Sequence, residues 1–129
     1  IHVLQPGQPN CYYHAESEQE DFLVLSGTCR VLVEGKDVLL KAWDLVHCPP
    51  WTEHVFVGAG KGPCAVLMMG GRNPSGTVHY PRKAVALRYK AGVKTPTDLP
   101  RTAYADVTPW GPVKRLAWPL KAKGRRKKA

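Results

Sequence analysis

No stretch of this 129-residue chain approaches 18 consecutive apolar residues, so the sequence holds no candidate for a membrane-spanning helix. The longest apolar run, Cys64-Ala-Val-Leu-Met-Met69, has the length of a strand. No signal-peptide pattern opens the chain, and the expected location is the cytoplasm. The start at Ile1 is what an excised or processed piece would show, with an upstream segment left behind. No two of the four cysteines (Cys11, Cys29, Cys48 and Cys64) stand at CxxC spacing, and their apolar settings favour buried thiols over staples. A phosphate loop is missing as well. Gly58-Ala-Gly-Lys-Gly62 lacks both the G-x4-G-K-[ST] spacing and a following helix, and reads as a hairpin connection.

Acidic residues are absent from 110–129, which carry eight basic groups. Charge is thus split along the chain: residues 1–71 sum to −4 and residues 72–129 to +13, giving the total of +9. The basic end is expected to be flexible and to make at most weak, salt-sensitive contact with nucleic acid or another polyanion. No recognition-helix or aromatic-platform pattern accompanies it.

What the chain does have is a succession of short strands, and its apolar fraction of 43% suffices for one core. Strands are expected over residues 1–5, 11–16, 20–26, 29–34, 38–40, 45–48, 53–57, 64–69 and 78–80. Glu34-Gly35-Lys36-Asp37 is a hairpin signal, and Pro49-Pro50 is a strand stop. Residues 22–25 are apolar on both faces, which predicts cover on both sides, as at a homodimer interface. Residues 82–89 fit either a strand or one short helix. This divides the chain into a β core over 1–80, a C-terminal arm over 81–109 that packs on the core or on a partner subunit, and the tail over 110–129.

Two clusters within the core carry chemistry. The first is His14-Ala-Glu16 with Glu20 beyond a bend, and the second is His54 after Pro49-Pro50-Trp51-Thr52-Glu53. Residues i and i+2 of a strand share a face, so His14 and Glu16 would point together and Glu20 would turn toward them. Two imidazoles and two carboxylates suit one divalent transition metal, Mn, Fe, Ni, Co or Zn, better than Cu⁺. Glu16 and Glu20 are also the candidate proton-transfer groups. Spacing alone equally allows a solvated acidic loop beside an ordinary surface histidine. Strand parity aligns Tyr12 with His14 and Phe56 with His54, making these two pocket candidates. Trp51 is a third, as a wall of the pocket mouth. Phe22 and Met68 are expected as core or cavity lining.

The two clusters resemble the motifs of the cupin superfamily. Its first motif, G-x5-H-x-H-x3,4-E-x6-G, places its first His on His14, its second His on Glu16, its Glu on Glu20 and its closing Gly on Gly27. In its second motif, G-x5-P-x-G-x2-H-x3-N, Pro49 and His54 match, while Trp43, Trp51 and Gly58 replace the two glycines and the Asn. The resemblance covers about residues 4–70. It implies an all-β, antiparallel jelly-roll barrel (a double-stranded β-helix), with the residues matching His14, Glu20 and His54 as metal ligands. Glu16 in place of His hardens the site toward oxygen-loving cations. The function it implies is oxygenase or isomerase-like chemistry on a small polar organic molecule. The alternative is a non-catalytic module that binds a small molecule or sugar.

Overall fold

The computed structural model of the protein describes residues 1–108. Strands run in chain order as β1 (His2–Leu4), β2 (Ala15–Glu16), β3 (Glu20–Ser26), β4 (Thr28–Val33), β5 (Lys36–Lys41), β6 (Leu45–Cys48), β7 (His54–Ala59), β8 (Cys64–Gly70) and β9 (Val78–His79). Two short helices follow, α1 (Ala84–Arg88) and α2 (Pro100–Ala103). The strand pairs are antiparallel and build a sheet of order β1-β8-β3-β6, a sheet of order β5-β4-β7 and the small pair β2-β9. The expected antiparallel architecture is therefore present, with few helices. Pairing among the described residues forms separate sheets, not a closed barrel. No helix among them is long and apolar enough to cross a membrane. The basic tail expected over 110–129 lies outside the described residues.

Alternation places the core. Leu4, Phe22, Val24, Cys48, Cys64 and Val66 of the larger sheet meet Cys29, Val31, Leu40 and Phe56 of the smaller one in a single buried cluster. The other face of the smaller sheet is covered too. Leu32, Val55 and Val57 pack there with Tyr13, Ala91 and the α1 residues Val85 and Ala86. Every residue of β7 is consequently buried, since both of its faces have partners. In β3, expected to be covered on both sides as at a homodimer interface, the chain itself buries Phe22 and Val24 and leaves Leu23 and Leu25 half-exposed, with Leu23 registered between Leu45 and Leu67 on the outer face. Residues 82–89, left open between strand and helix, contain α1, whose buried Val85 and Ala86 reach the sheet.

Turn chemistry explains where strands reverse. Glu34 and Gly35 both take positive φ (48° and 76°) between the paired Val33 and Lys36, the two-residue hairpin whose twist matches that of its strands. Gly27 (φ 74°) ends β3 where no side chain fits, because a Cβ there would lie 2.5 Å from the Pro63 carbonyl oxygen. Trp43 (φ 75°) and Trp51 (φ 67°) are the unusual cases, for both hold a left-handed backbone in turns that would ordinarily use glycine. Their neighbours enforce it. Trp43 N donates to the Val24 carbonyl at 2.7 Å, and Trp51 N to the Glu16 carbonyl at 2.7 Å.

The Trp43 side chain is 75% exposed, so little packing offsets this backbone cost. Replacing Trp43 with Gly should stabilise the protein by about 1 kcal/mol, the left-handed penalty less the larger unfolded entropy of glycine. Urea unfolding measures it, and a lower midpoint for the variant would show that the indole packs more than it exposes.

Candidate metal centre

The centre begins with a backbone contact. His14 N donates to the His54 carbonyl at 3.1 Å and His54 N to the His14 carbonyl at 2.8 Å, an isolated antiparallel bridge between residues forty positions apart. It sets the two imidazoles side by side, with ring centroids 4.9 Å apart and both residues buried. Glu20, the first residue of β3, comes from the facing sheet and closes the set. Its Oε2 lies 3.1 Å from His54 Nε2 and 3.8 Å from His14 Nε2. One donor atom from each of His14, Glu20 and His54 falls within 4.8 Å of the others. Glu16 stands beside this triad, its Oε1 3.3 Å from His14 Nε2, and its carboxylate is 39% exposed.

The outer nitrogens fix which atoms face the centre. His14 Nδ1 is 2.7 Å from the Tyr12 carbonyl and His54 Nδ1 is 2.9 Å from the Thr52 carbonyl. Each carbonyl can only accept, so each Nδ1 carries hydrogen and each Nε2 is the nitrogen that faces the centre, the one a metal would take. His54 Nε2 is fully buried and has no hydrogen bond, Glu20 Oε2 lying close but off the bonding direction. A buried, unsatisfied nitrogen is costly, and a cation between Nε2 and the carboxylate would satisfy it. The donor set of two imidazoles and a carboxylate thus fits a divalent first-row metal.

Without a cation, the neighbours of both imidazoles favour their protonated forms. Burial pulls His14 down, but the Cys11 thiol, Glu16 and the Tyr12 carbonyl outweigh it and hold the imidazole up at about 11. Burial likewise opposes His54, whose neighbours Cys48 and Glu20 raise it to about 10. Glu16 is lowered by its bond to His14 against the opposing effect of burial.

A cavity of about 840 Å³ opens beside the triad. His14, Glu16 and Glu20 line it, with Phe22 and Met68 as its apolar floor. The three residues expected at a pocket from parity or turn position do not line it. Tyr12 precedes β2 on a bent segment where parity does not hold, and it stacks on Tyr104 with centroids 4.7 Å apart. Phe56 shares a face with His54 but sits deeper, 4.4 Å from the Phe22 ring in the core. Trp51, in its left-handed turn, is 52% exposed outside the cavity. Tyr80 and Tyr104 do line it, as do Arg72 and Asn73. All four follow β8, and no strand period or ligand spacing in the sequence marked them.

Comparison with known proteins agrees with this geometry. Residues 1–70 match the family model described as "Cupin domain". No curated protein matches the chain. Among solved structures, a proposed sugar phosphate isomerase from Acidithiobacillus ferrooxidans superposes with a TM-score of 0.57 at 26% identity, over 59% of this chain and 50% of that one. A cupin-superfamily sugar phosphate isomerase from Silicibacter pomeroyi gives a TM-score of 0.58 at 22% identity, over 64% of this chain and 59% of that one, a likeness of fold alone. A predicted oxalate decarboxylase from Thermotoga maritima gives 0.50 at 26% identity, over 53% and 59%. The chain therefore spans 50–59% of the length of these structures. With the family match covering more than half of its residues, the two-sheet fold and the His14–Glu20–His54 cluster have one common account: the chain belongs to the cupin family.

Proposed function

We propose that this protein binds one divalent transition metal (Mn, Fe, Ni, Co or Zn) through His14, Glu20 and His54, and isomerises a small hydroxylated carbonyl compound. The observation that carries the reading is Glu16. It is a carboxylate in the cavity wall, 3.3 Å from a metal-facing imidazole nitrogen and outside the three-donor cluster. A carboxylate placed there can accept a proton from a ligand in the cavity. A bound cation would polarise the substrate carbonyl and so acidify the adjacent C–H. Glu16 takes that proton from carbon, the C–H electron pair moves into an enediolate, the proton of the adjacent hydroxyl passes to the former carbonyl oxygen, and the carboxylic acid returns its proton to the former carbonyl carbon. Phe22 and Met68 limit water at the floor of the cavity. The description of the Acidithiobacillus ferrooxidans neighbour as a proposed sugar phosphate isomerase supports this substrate class. Oxygenase chemistry would use the same donors with an open coordination position, and it differs by consuming dioxygen.

The reaction is tested by proton exchange. Protein loaded with Mn²⁺ and incubated in D₂O with a panel of aldoses, ketoses and their phosphates should place deuterium on the carbon next to the carbonyl. Glu16→Gln should slow this by about 10²-fold or more while keeping the metal. Oxygen uptake with no deuterium incorporation would contradict the isomerase reading.

Metal binding has its own tests. His54→Ala should lose the metal that protein purified without an affinity tag retains, and full occupancy in that variant would remove the proposed centre. With both imidazoles raised toward their protonated forms in the metal-free protein, loading at pH 7 should release protons, and affinity should rise with pH. The metal-free protein should behave oppositely. Its histidines are raised above the ordinary 6.5, so their stabilisation is complete below that pH and is lost as pH climbs through about 10 to 11. Thermal unfolding across pH 6–10, with and without Zn²⁺, should show these opposing slopes. Parallel slopes would mean that metal and protons do not compete for the same nitrogens.

A further inference from the structure

Residues beyond the matched family segment form one wall of the cavity. Tyr80 is 6% exposed and follows β9, with its backbone clamped by a two-way bridge to Thr97 (Tyr80 N to Thr97 O 2.9 Å, Thr97 N to Tyr80 O 3.1 Å). Its ring lies 5.9 Å from that of the ligand candidate His14. Tyr104 stands at the end of α2 and meets Tyr80 edge to face at 5.7 Å. Its hydroxyl accepts the Tyr12 N–H at 2.9 Å, and its ring stacks on Tyr12 at 4.7 Å. The two phenol rings are thereby held side by side at the cavity's edge, Tyr80 through its backbone bridge and Tyr104 through its hydroxyl and its stack on Tyr12.

The rest of the wall states what such a ligand must offer. Glu16 and Glu18 are acceptors facing the cavity, so they suit a ligand that carries hydroxyl donors. Arg72 is the lining arginine, and among the described residues it forms no ion pair. It suits a single anionic group. We infer that Tyr80 and Tyr104 form a specificity subsite for a hydroxylated anion, their phenols holding ligand oxygens beside the metal donors while Arg72 takes the anionic end. The residues after position 70 are then part of the ligand site. This inference rests on reading the cavity as the ligand site proposed above. Burial and the nearby Cys11 and Glu16 raise the Tyr80 hydroxyl, although the Tyr104 hydroxyl opposes them, so it stays a neutral donor at working pH.

The probe is gluconate, titrated into Zn²⁺-loaded protein carrying ¹³Cζ-tyrosine and followed by NMR. The Tyr80 and Tyr104 resonances should shift saturably. Tyr80→Phe keeps the ring and should weaken gluconate at least fivefold with Zn²⁺ affinity unchanged; Tyr104→Phe should weaken it in the same direction. Arg72→Ala should weaken gluconate but not uncharged sorbitol. Tyrosine resonances that do not move, or gluconate affinity equal in wild type and both tyrosine variants, would overturn the inference. The same titration in metal-free protein must still move both resonances. A wild-type protein that fails to take up Zn²⁺ would therefore sink the metal reading while the tyrosine result stands or falls separately.

Discussion

The pair of hydrogen bonds between the backbones of His14 and His54 is the contact on which the site depends. His14 lies outside the named strands, just before the two-residue β2, while His54 opens β7 and pairs on its other side with Val33 of β4. The bridge nevertheless converts a separation of forty positions into adjacent imidazoles. Glu20 then needs only to begin β3 on the opposing sheet to complete a three-sided cluster. The core behind it, with Phe22 against both His54 and Phe56, keeps the rings from turning away. Packing of the two sheets and placement of the donors are thus one event.

That arrangement has an energetic tension built into it. Two imidazoles and a carboxylate have been taken largely out of water, and one nitrogen has no hydrogen-bond partner. Protons relieve part of the tension and a cation would relieve it more completely, since it can meet both Nε2 atoms and the carboxylate at once. The carbonyls of Tyr12 and Thr52 hold both rings in one tautomer, so occupation of the centre requires no ring flip. Two strained tryptophans in the turns at positions 43 and 51 indicate that the chain path is kept even where the residue disfavours it.

Much of this was legible in the residues. Strands β3 and β6 match the expected bounds, and the others differ at their ends, because period-two apolar runs between Gly and Pro punctuation leave few alternatives. The convergence of His14, Glu20 and His54 was readable from the motif spacing and not from local pattern, since neither cluster alone implies the other. The misplacements have specific causes. Tyr12 was assigned by strand parity, but residues 11–13 are bent, so its ring turned to Tyr104 instead. Phe56 does obey parity, yet depth within the sheet decides between core and cavity, and a one-dimensional pattern carries no depth. β7 is covered on both faces because α1 lies on the smaller sheet, and residues 82–89 allowed a strand as well as a helix, so that cover had no single local signal. Tyr80, Tyr104 and Arg72 reach the cavity only through the return of the chain after β8, a long-range event with no local signature.

The most direct test of the central claim is X-ray absorption at the zinc edge of the Zn²⁺-loaded protein. The account predicts two imidazole ligands, seen through their outer-ring scattering, with nitrogen and oxygen donors at about 2.0–2.2 Å and no sulfur. A spectrum with a sulfur shell, or with one imidazole or none, would contradict it, because His14 and His54 would then not meet around a single ion.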